Sequence, residues 1–243
     1  DKLPSADPDH LATIRLAEIV SPSSEDIALF KAIPNRRTTR AMFEARDLPV
    51  KLLEECHALA EANGAELTII QDGEHRSRIA ELVAEGDRKQ FGDRRFRQEL
   101  AAWVHSRRGD TKDGMSGESF GMPDLLSPLG ALVIRTFDLG NGIAAGDRKK
   151  IAEGSPVLAV FSTKSDQATD WIATGQALSK VLLKLSASGA TASFLNQPIE
   201  VDELRPRLGN LIGVTGIPQL LLRFGYGKPV PATARRPVED VLV

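Results

Sequence analysis

The sequence predicts an α+β protein in which helices outnumber a set of four or five strands. Two apolar runs, Pro156 to Thr163 and Ile217 to Phe224, have the length of strands and read as buried ones. Apolar stripes at helical spacing recur elsewhere, most clearly Leu52, Leu53, Cys56, Leu59 and Ala60. Glycine and proline separate the two kinds of segment, and no internal repeat or low-complexity tract interrupts them.

Taken in order, alternation from Leu11 to Leu16 reads as a first strand. Ser21-Pro22-Ser23-Ser24 breaks it. Ser24 or Asp26 could cap a short helix running to Ile33, and Pro34 ends that helix. A helix from about Pro49 to Ala62 follows, with Pro49 suited to its first turn and Asn63-Gly64 as its stop. Leu67 to Gln71 is a strand, and two helices come next, roughly 75–88 and 92–106. From Gly109 to Ser127, glycine, Asp, Ser and Met dominate. Loops of this length are uncommon inside a domain and are often lids, although a plain connector serves equally well. Gly140-Asn141-Gly142 looks like a tight turn. A long helix from about Gln167 to Ser186 puts Trp171, Gly175, Leu178, Leu182 and Leu185 on one face, with Gly189 as its stop. The final strand leads into Gly225-Tyr226-Gly227, which lacks the third glycine and the following helix of a dinucleotide fingerprint.

A chain of 243 residues, 42% hydrophobic and 26% charged, can bury a proper core as one large domain or two small ones. Its net charge of −2 supplies no general attraction to nucleic acid or anionic membrane. Residues 76–108 carry nine Lys/Arg against five Asp/Glu, and solvated helix faces explain this better than a nucleic-acid surface does. Cys56 is the only cysteine and sits at an apolar helix position, so no internal disulfide or cysteine-based metal cluster is available. His10, His57, His75 and His105 are scattered without metal-ligand spacing, and no apolar run approaches a membrane span. The first residue is Asp1 and not methionine, so the visible start argues nothing about location.

Arg36-Arg37-Thr38-Thr39-Arg40 is the stretch that points to chemistry. In an extended segment side chains alternate, so Arg36, Thr38 and Arg40 face the same way. Two guanidiniums and a hydroxyl suit a phosphate or another anion. A second pair, Arg235-Arg236 before Pro237, could close the same site from the far end of the chain. Either cluster taken alone is also compatible with a solvated face.

These motifs, with Phe43, the helix containing Trp171-Ile172-Ala173-Thr174-Gly175-Gln176-Ala177-Leu178, then Gly189, Asn196-Gln197-Pro198 and Pro218 to Gly227, resemble the flavin-dependent nitroreductase superfamily. Each motif is short, and it is their shared order along the chain that carries the likeness. RRT-type motifs well inside the chain are similar to the Acg-like branch, whose members fold two pseudo-subunits from one polypeptide and cover the flavin with a lid. One departure is that Phe43 lies five residues after Thr38, one more than in ordinary nitroreductases.

The resemblance implies a nitroreductase-like fold, with a central mixed or antiparallel sheet flanked by helices and a lid over residues 109–127. It implies one domain over 1–243, with 1–25 the remnant of a preceding pseudo-subunit and the chain a C-terminal portion of a longer one. FMN is the implied cofactor and NADH or NADPH the electron donor. Arg36 and Thr38 would contact the FMN phosphate or ribityl chain, Arg40 the N1–C2=O edge, and Arg235 and Arg236 the phosphate. The Phe194 to Gln197 turn, with Leu195 and Asn196, would turn a backbone N–H toward N5, while Arg37 is expected in solvent. The implied activity is NAD(P)H-dependent reduction of nitroaromatic or quinone-like small molecules by ping-pong hydride transfer, with no protein nucleophile or metal. A flavin-sequestering protein with a closed lid is the alternative. The expected partners are the small-molecule acceptor and either a second copy or the missing pseudo-subunit, with no nucleic acid or membrane, in the cytoplasm.

Overall fold

In the computed structural model, which describes residues 10, 12–13, 15–16, 20–106, 113–115, 126–230 and 236–242, four strands form one antiparallel sheet. These are β1 (Glu66–Ile70), β2 (Val157–Thr163), β3 (Thr191–Phe194) and β4 (Ile217–Gly225), in the spatial order β1-β2-β4-β3. The central strands explain their own sequences. Val157, Ala159 and Phe161 of β2 join Leu222 and Phe224 of β4 in one core, while Leu158, Val160 and Leu221 enter another. Both faces are covered, so these strands read as continuous apolar runs and not as alternating ones.

Helices α2 (Val50–Glu61) and α7 (Ala168–Ala187) cover the first face, with Cys56, Ala60, Ala177, Val181 and Leu185 fully buried. Burial also pushes the Cys56 thiol up to about 12, which leaves it an inert core residue. The second face is covered by α3 (Gly73–Gly92), α6 (Gly140–Gly154), α8 (Gln197–Glu200) and α9 (Arg205–Ile212), through Ile79, Val83, Ile151 and Leu208. Helices α4 (Arg94–Ala102) and α5 (Ser127–Thr136) build a smaller cluster around Phe91, where the Phe96 ring meets Phe91 edge-on at 5.4 Å. Helix α1 (Ser24–Ala32) packs on α7, and Lys184 of α7 ties it to α2 by pairing with both Glu25 and Glu55. Among the described residues no helix is long and apolar enough to cross a membrane, and no acidic, histidine or cysteine group could hold a metal ion.

Several expectations need correcting. Ser23, not Ser24 or Asp26, caps α1, because Asp26 is the third helical residue and closes a capping box with Ser23. Gly140-Asn141-Gly142 is the first turn of α6, with Asp138 Oδ1 accepting from the Gly140 N–H at 2.8 Å. The buried stripe of α7 runs through Thr174, Ala177, Val181 and Leu185. Trp171 and Gly175 are exposed, and the Trp171 indole N–H bonds Asp166. Leu11 and Ile14 of the expected first strand lie outside the described residues, and Ala12, Thr13, Arg15 and Leu16 belong to no strand. Of the 109–127 segment, residues 113–115, 126 and 127 are described.

One close approach fixes the chain entering the site. Phe43 packs directly on β4, and a Cβ on Gly225 would lie 2.6–2.9 Å from the Phe43 side chain. Gly225→Ala should therefore destabilise the fold by ~1–3 kcal/mol through overpacking. Urea denaturation measures this, and an unchanged midpoint would mean Phe43 is not held against β4.

Candidate functional site

The Arg36 to Phe43 strap lies along the outer edge of β3. Thr38 bridges Ala192 in parallel, and the Thr39 N–H donates to Ala192 O at 3.3 Å. Thr191 Oγ1 donates to Arg37 O at 3.0 Å, and the Phe43 N–H reaches Gly154 O at 3.0 Å. An edge strand offers unpaired backbone groups, and the strap takes them up.

The strap is held from inside by Arg223, a residue of β4 that is 1% exposed. Its guanidinium donates to Ala41 O at 2.7 Å, with longer bonds to Gly154 O at 3.4 Å and Thr39 O at 3.5 Å. The Phe43 ring centroid lies 4.4 Å from the guanidinium carbon. Burial draws the Arg223 pKa down to about 10, with Asp147 opposing the shift, so the side chain stays charged at neutral pH. Nothing in the motif analysis singled out this residue. The signal was available as a lone charge inside Leu220-Leu221-Leu222-Arg223-Phe224.

On the strap, Arg36 and Thr38 do share a side: Arg36 Nη1 donates to Thr38 Oγ1 at 3.4 Å. Arg37, expected in solvent, is half-buried and donates to Pro34 O at 2.7 Å and Arg36 O at 2.8 Å, shaping the bend before the strap. Arg40 places Nη2 3.4 Å from Met115 Sδ, and crowding at its guanidinium lowers its pKa although the residue as a whole is exposed. Arg236 pairs with Asp113. Arg40 and Arg236 therefore meet one short segment, 113–115, which the Met115 and Trp103 backbones tie to the end of α4. No described hydrogen bond joins Arg36 or Thr38 to Arg236, and Arg235 lies outside the described residues.

Beside the strap, β3 runs into the 194–197 turn. The Leu195 N–H donates to Leu221 O at 2.9 Å, and the Leu221 N–H donates to Asn196 Oδ1 at 3.0 Å, a reciprocal pair that pins the turn to β4. The Leu195 side chain is 4% exposed and belongs to the core. The Asn196 and Gln197 N–H groups open α8, where a helix has no internal acceptor for them. Gln197 turns its side chain inward to Asp87 and Asp147, two carboxylates the motif analysis did not single out.

The fold as a whole superposes on solved structures. An FMN-dependent nitroreductase, NfnB of Mycobacterium smegmatis solved with NADPH, superposes with a TM-score of 0.57 at 15% identity, covering 89% of this chain and 97% of that one. An iodotyrosine deiodinase bound to FMN and 3-iodo-L-tyrosine superposes at 0.56 and 14% identity, covering 86% and 96%. This chain has the nitroreductase fold. In sequence it is similar, at 27% identity over 238 residues, to a Mycobacterium tuberculosis protein named "Putative NAD(P)H nitroreductase", covering 96% of this chain and 66% of the relative. A shorter stretch of 86 residues is 34% identical to the M. tuberculosis protein of that name called acg, covering 34% of this chain and 26% of that protein. The chain thus spans about two thirds of the length of the first of these nitroreductase-named relatives. No protein-family model matches it.

Within this nitroreductase fold, the Arg223 contacts are directly testable. Arg223→Met keeps the volume but leaves the Ala41 and Thr39 carbonyls without their donor, so a loss of ~2–4 kcal/mol is expected. Lysine should not rescue it, having no planar fork with which to span three carbonyls. Chemical denaturation of both variants is the measurement, and parent-like stability in either would remove Arg223 as the anchor.

Proposed function

We propose that this chain carries the site of an FMN-dependent NAD(P)H oxidoreductase of nitroreductase type, acting on nitroaromatic or quinone-like small molecules. The observation that carries this is the donor set on one sheet edge: Arg36, Thr38 and Arg40 on a strap along β3, with Arg236 meeting the same segment as Arg40. The names of the relatives and the flavin in the structural neighbours support it. The donors fit FMN chemically, since guanidiniums and a hydroxyl are what a phosphate takes. Asp113 on Arg236 is itself an anionic oxygen at the position given to the phosphate.

FMN, when bound, supplies the two-electron chemistry between NAD(P)H and the acceptor. The chain's own residues bind and bias it. Arg36 and Thr38 hold the phosphate or ribityl chain, and Arg236, with Arg235, closes the phosphate end. Arg40 holds a permanent positive charge at the N1–C2=O edge, where negative charge grows on reduction, worth about 1.5–3 kcal/mol. In the 194–197 turn, Leu195 serves packing because its N–H is bonded to Leu221, so the donor toward N5 falls to Asn196 or Gln197.

The proposed unit is one domain over 1–243, with 1–25 the tail of a preceding pseudo-subunit and 109–127 a lid, working in the cytoplasm. Exposed Ile27, Phe30 and Ile33 at α1 and Leu129 and Leu132 on α5 suit coverage by a second lobe, from the same polypeptide or a second copy. A second function, sequestration of flavin behind a closed lid, is favoured by the contacts of Met115 with Arg40 and of Asp113 with Arg236. Visible spectra after dialysis with FMN, followed by anaerobic NAD(P)H, separate the two. Retained bands that bleach mean turnover, retained bands that persist mean sequestration, and no retained bands would sink both.

Two variants test the assignments. Arg40→Ala should lower the flavin midpoint potential by about 30–60 mV, the two-electron equivalent of the lost stabilisation, while much of the flavin stays bound. An unchanged potential removes Arg40 from that edge. Arg236→Ala should weaken FMN affinity about tenfold or more, through one lost charge-assisted contact. Equal flavin retention through dialysis would take it out of the clamp.

A further inference from the structure

The seam between α3, α6 and α8 holds two carboxylates around one amide. Gln197 Nε2 donates to Asp87 Oδ1 at 2.9 Å and to Asp147 Oδ2 at 3.3 Å. That uses both amide hydrogens and fixes which way the amide faces, because a flipped carbonyl would meet two acceptors. Two acceptor atoms are then left over: Asp87 Oδ2 and Gln197 Oε1 are both buried without a hydrogen-bond partner. They are the second atoms of the same two planar groups that the Nε2 to Oδ1 bond already joins. With Asp87 ionised, neither has a donor. A proton on Asp87 Oδ2 is the donor that the pair itself can supply.

The surroundings favour that proton. Asp87 is 1% exposed, where an unpaired charge is costly. Asp147 faces it from α6, and Lys150 on the same helix bonds Asp147 at 2.9 Å. The Gln197 bond, Lys150 and the exposed Arg88 act on Asp87 in the opposite direction but are outweighed, and Arg223 of β4 acts on Asp147. Burial first, and Asp147 second, raise Asp87 to about 6. The contact is also built sterically: a Cβ on Gly86 would come 2.7 Å from Gln197 Cβ, so glycine at this position lets the turn close onto α3.

We propose that Asp87 is a positioning residue, holding a proton on Oδ2 that it donates to the Gln197 side-chain carbonyl, so that an acid–amide pair clamps the 195–197 turn to α3. The turn's place at the flavin rests on the function proposed above, whereas the proton does not.

The sign of the pH effect follows from Asp87 being raised in the folded state above its ordinary 3.8. Between about pH 4 and 6 the unfolded chain ionises at this position and the folded one does not, so stability falls across that window and the loss is complete above it. Asp87→Asn is a neutral copy of the protonated pair, with Nδ2 as donor to Gln197 Oε1 and Oδ1 as acceptor from Nε2. Without flavin, the Tm of Asp87→Asn minus that of the parent should be near zero at pH 4 and grow in the variant's favour up to pH 7. The other carboxylates are common to both and cancel. A difference independent of pH overturns the proposal. The parent alone gives a second measure: the assigned Asp87 carboxyl 13C signal should titrate near pH 6, and a midpoint at or below 4 overturns it. With FMN added, the parent's affinity relative to the variant's should fall several-fold above pH 6. An Asp87 titration near 6 without that fall would uphold the acid–amide pair and remove the turn from the flavin.

Discussion

Arg223 imposes the demand that the strap and the end of α6 answer. It stands in β4, a central strand covered on both faces, with a guanidinium almost wholly out of water and bonded to main-chain carbonyls. Desolvating such a group costs several kcal/mol, which must be offset by oxygens brought to it. The oxygens come from two places distant in sequence: the strap, through Thr39 and Ala41, and the C-terminal end of α6, through Gly154. The helix end is suited to the task, since its terminal carbonyls carry the negative pole of the helix dipole. Phe43 closes the arrangement with the face of its ring. A buried cation thus does what a disulfide does in other proteins, fixing an edge segment to the middle of a sheet.

That anchor determines how precisely the site can be built. Arg36, Thr38 and Arg40 belong to a segment without helical or long-strand hydrogen bonding of its own, and such segments are mobile by default. Bonding to Ala192 on one side and to Arg223 beneath turns it into an added edge of the sheet. The neighbouring turn is treated alike, with Leu195 and Asn196 locked to Leu221 of the same strand. Strap and turn therefore share β4 as a common reference, which is what a site needs if donors from separate parts of the chain are to meet one ligand.

Much of this could be read in the residues, and the gaps have physical causes. The central strands are continuously apolar and α2 carries a clear apolar stripe at helical spacing, so their patterns survive without context. That Arg36 and Thr38 share a side of the strap was legible because alternation in an extended segment is a local property. Helix α6 was missed because it opens on Gly140-Asn141-Gly142, a turn signal by composition, and only Asp138 beside it supplies the bond that starts a helix there. Trp171 misled the placement of the α7 stripe, since size suggests burial while its N–H is satisfied at the surface by Asp166. Arg223, Asp87 and Asp147 could not be assigned roles at all. Their partners are carbonyls and an amide contributed by remote segments, and no spacing encodes that.

The distribution of charge ties the two polar features together. The anion site proposed above gains from arginines and would lose from any carboxylate held nearby in a low dielectric. Asp87 and Asp147 lie one side chain away from the backbone of the 195–197 turn, and two ionised groups there would set two negative charges close to it. Asp147 is offset by Lys150, in contact, and by Arg223 through the field. Asp87 has no such cation bonded to it, only the amide of Gln197. Up to about pH 6 the proton on Asp87 gives a polar clamp at that position without a net charge, and above it the clamp weakens as the carboxylate ionises. An apolar pair would also be neutral, but it could not orient the turn, because only directional bonds fix the rotation of Gln197 and the backbone that carries it.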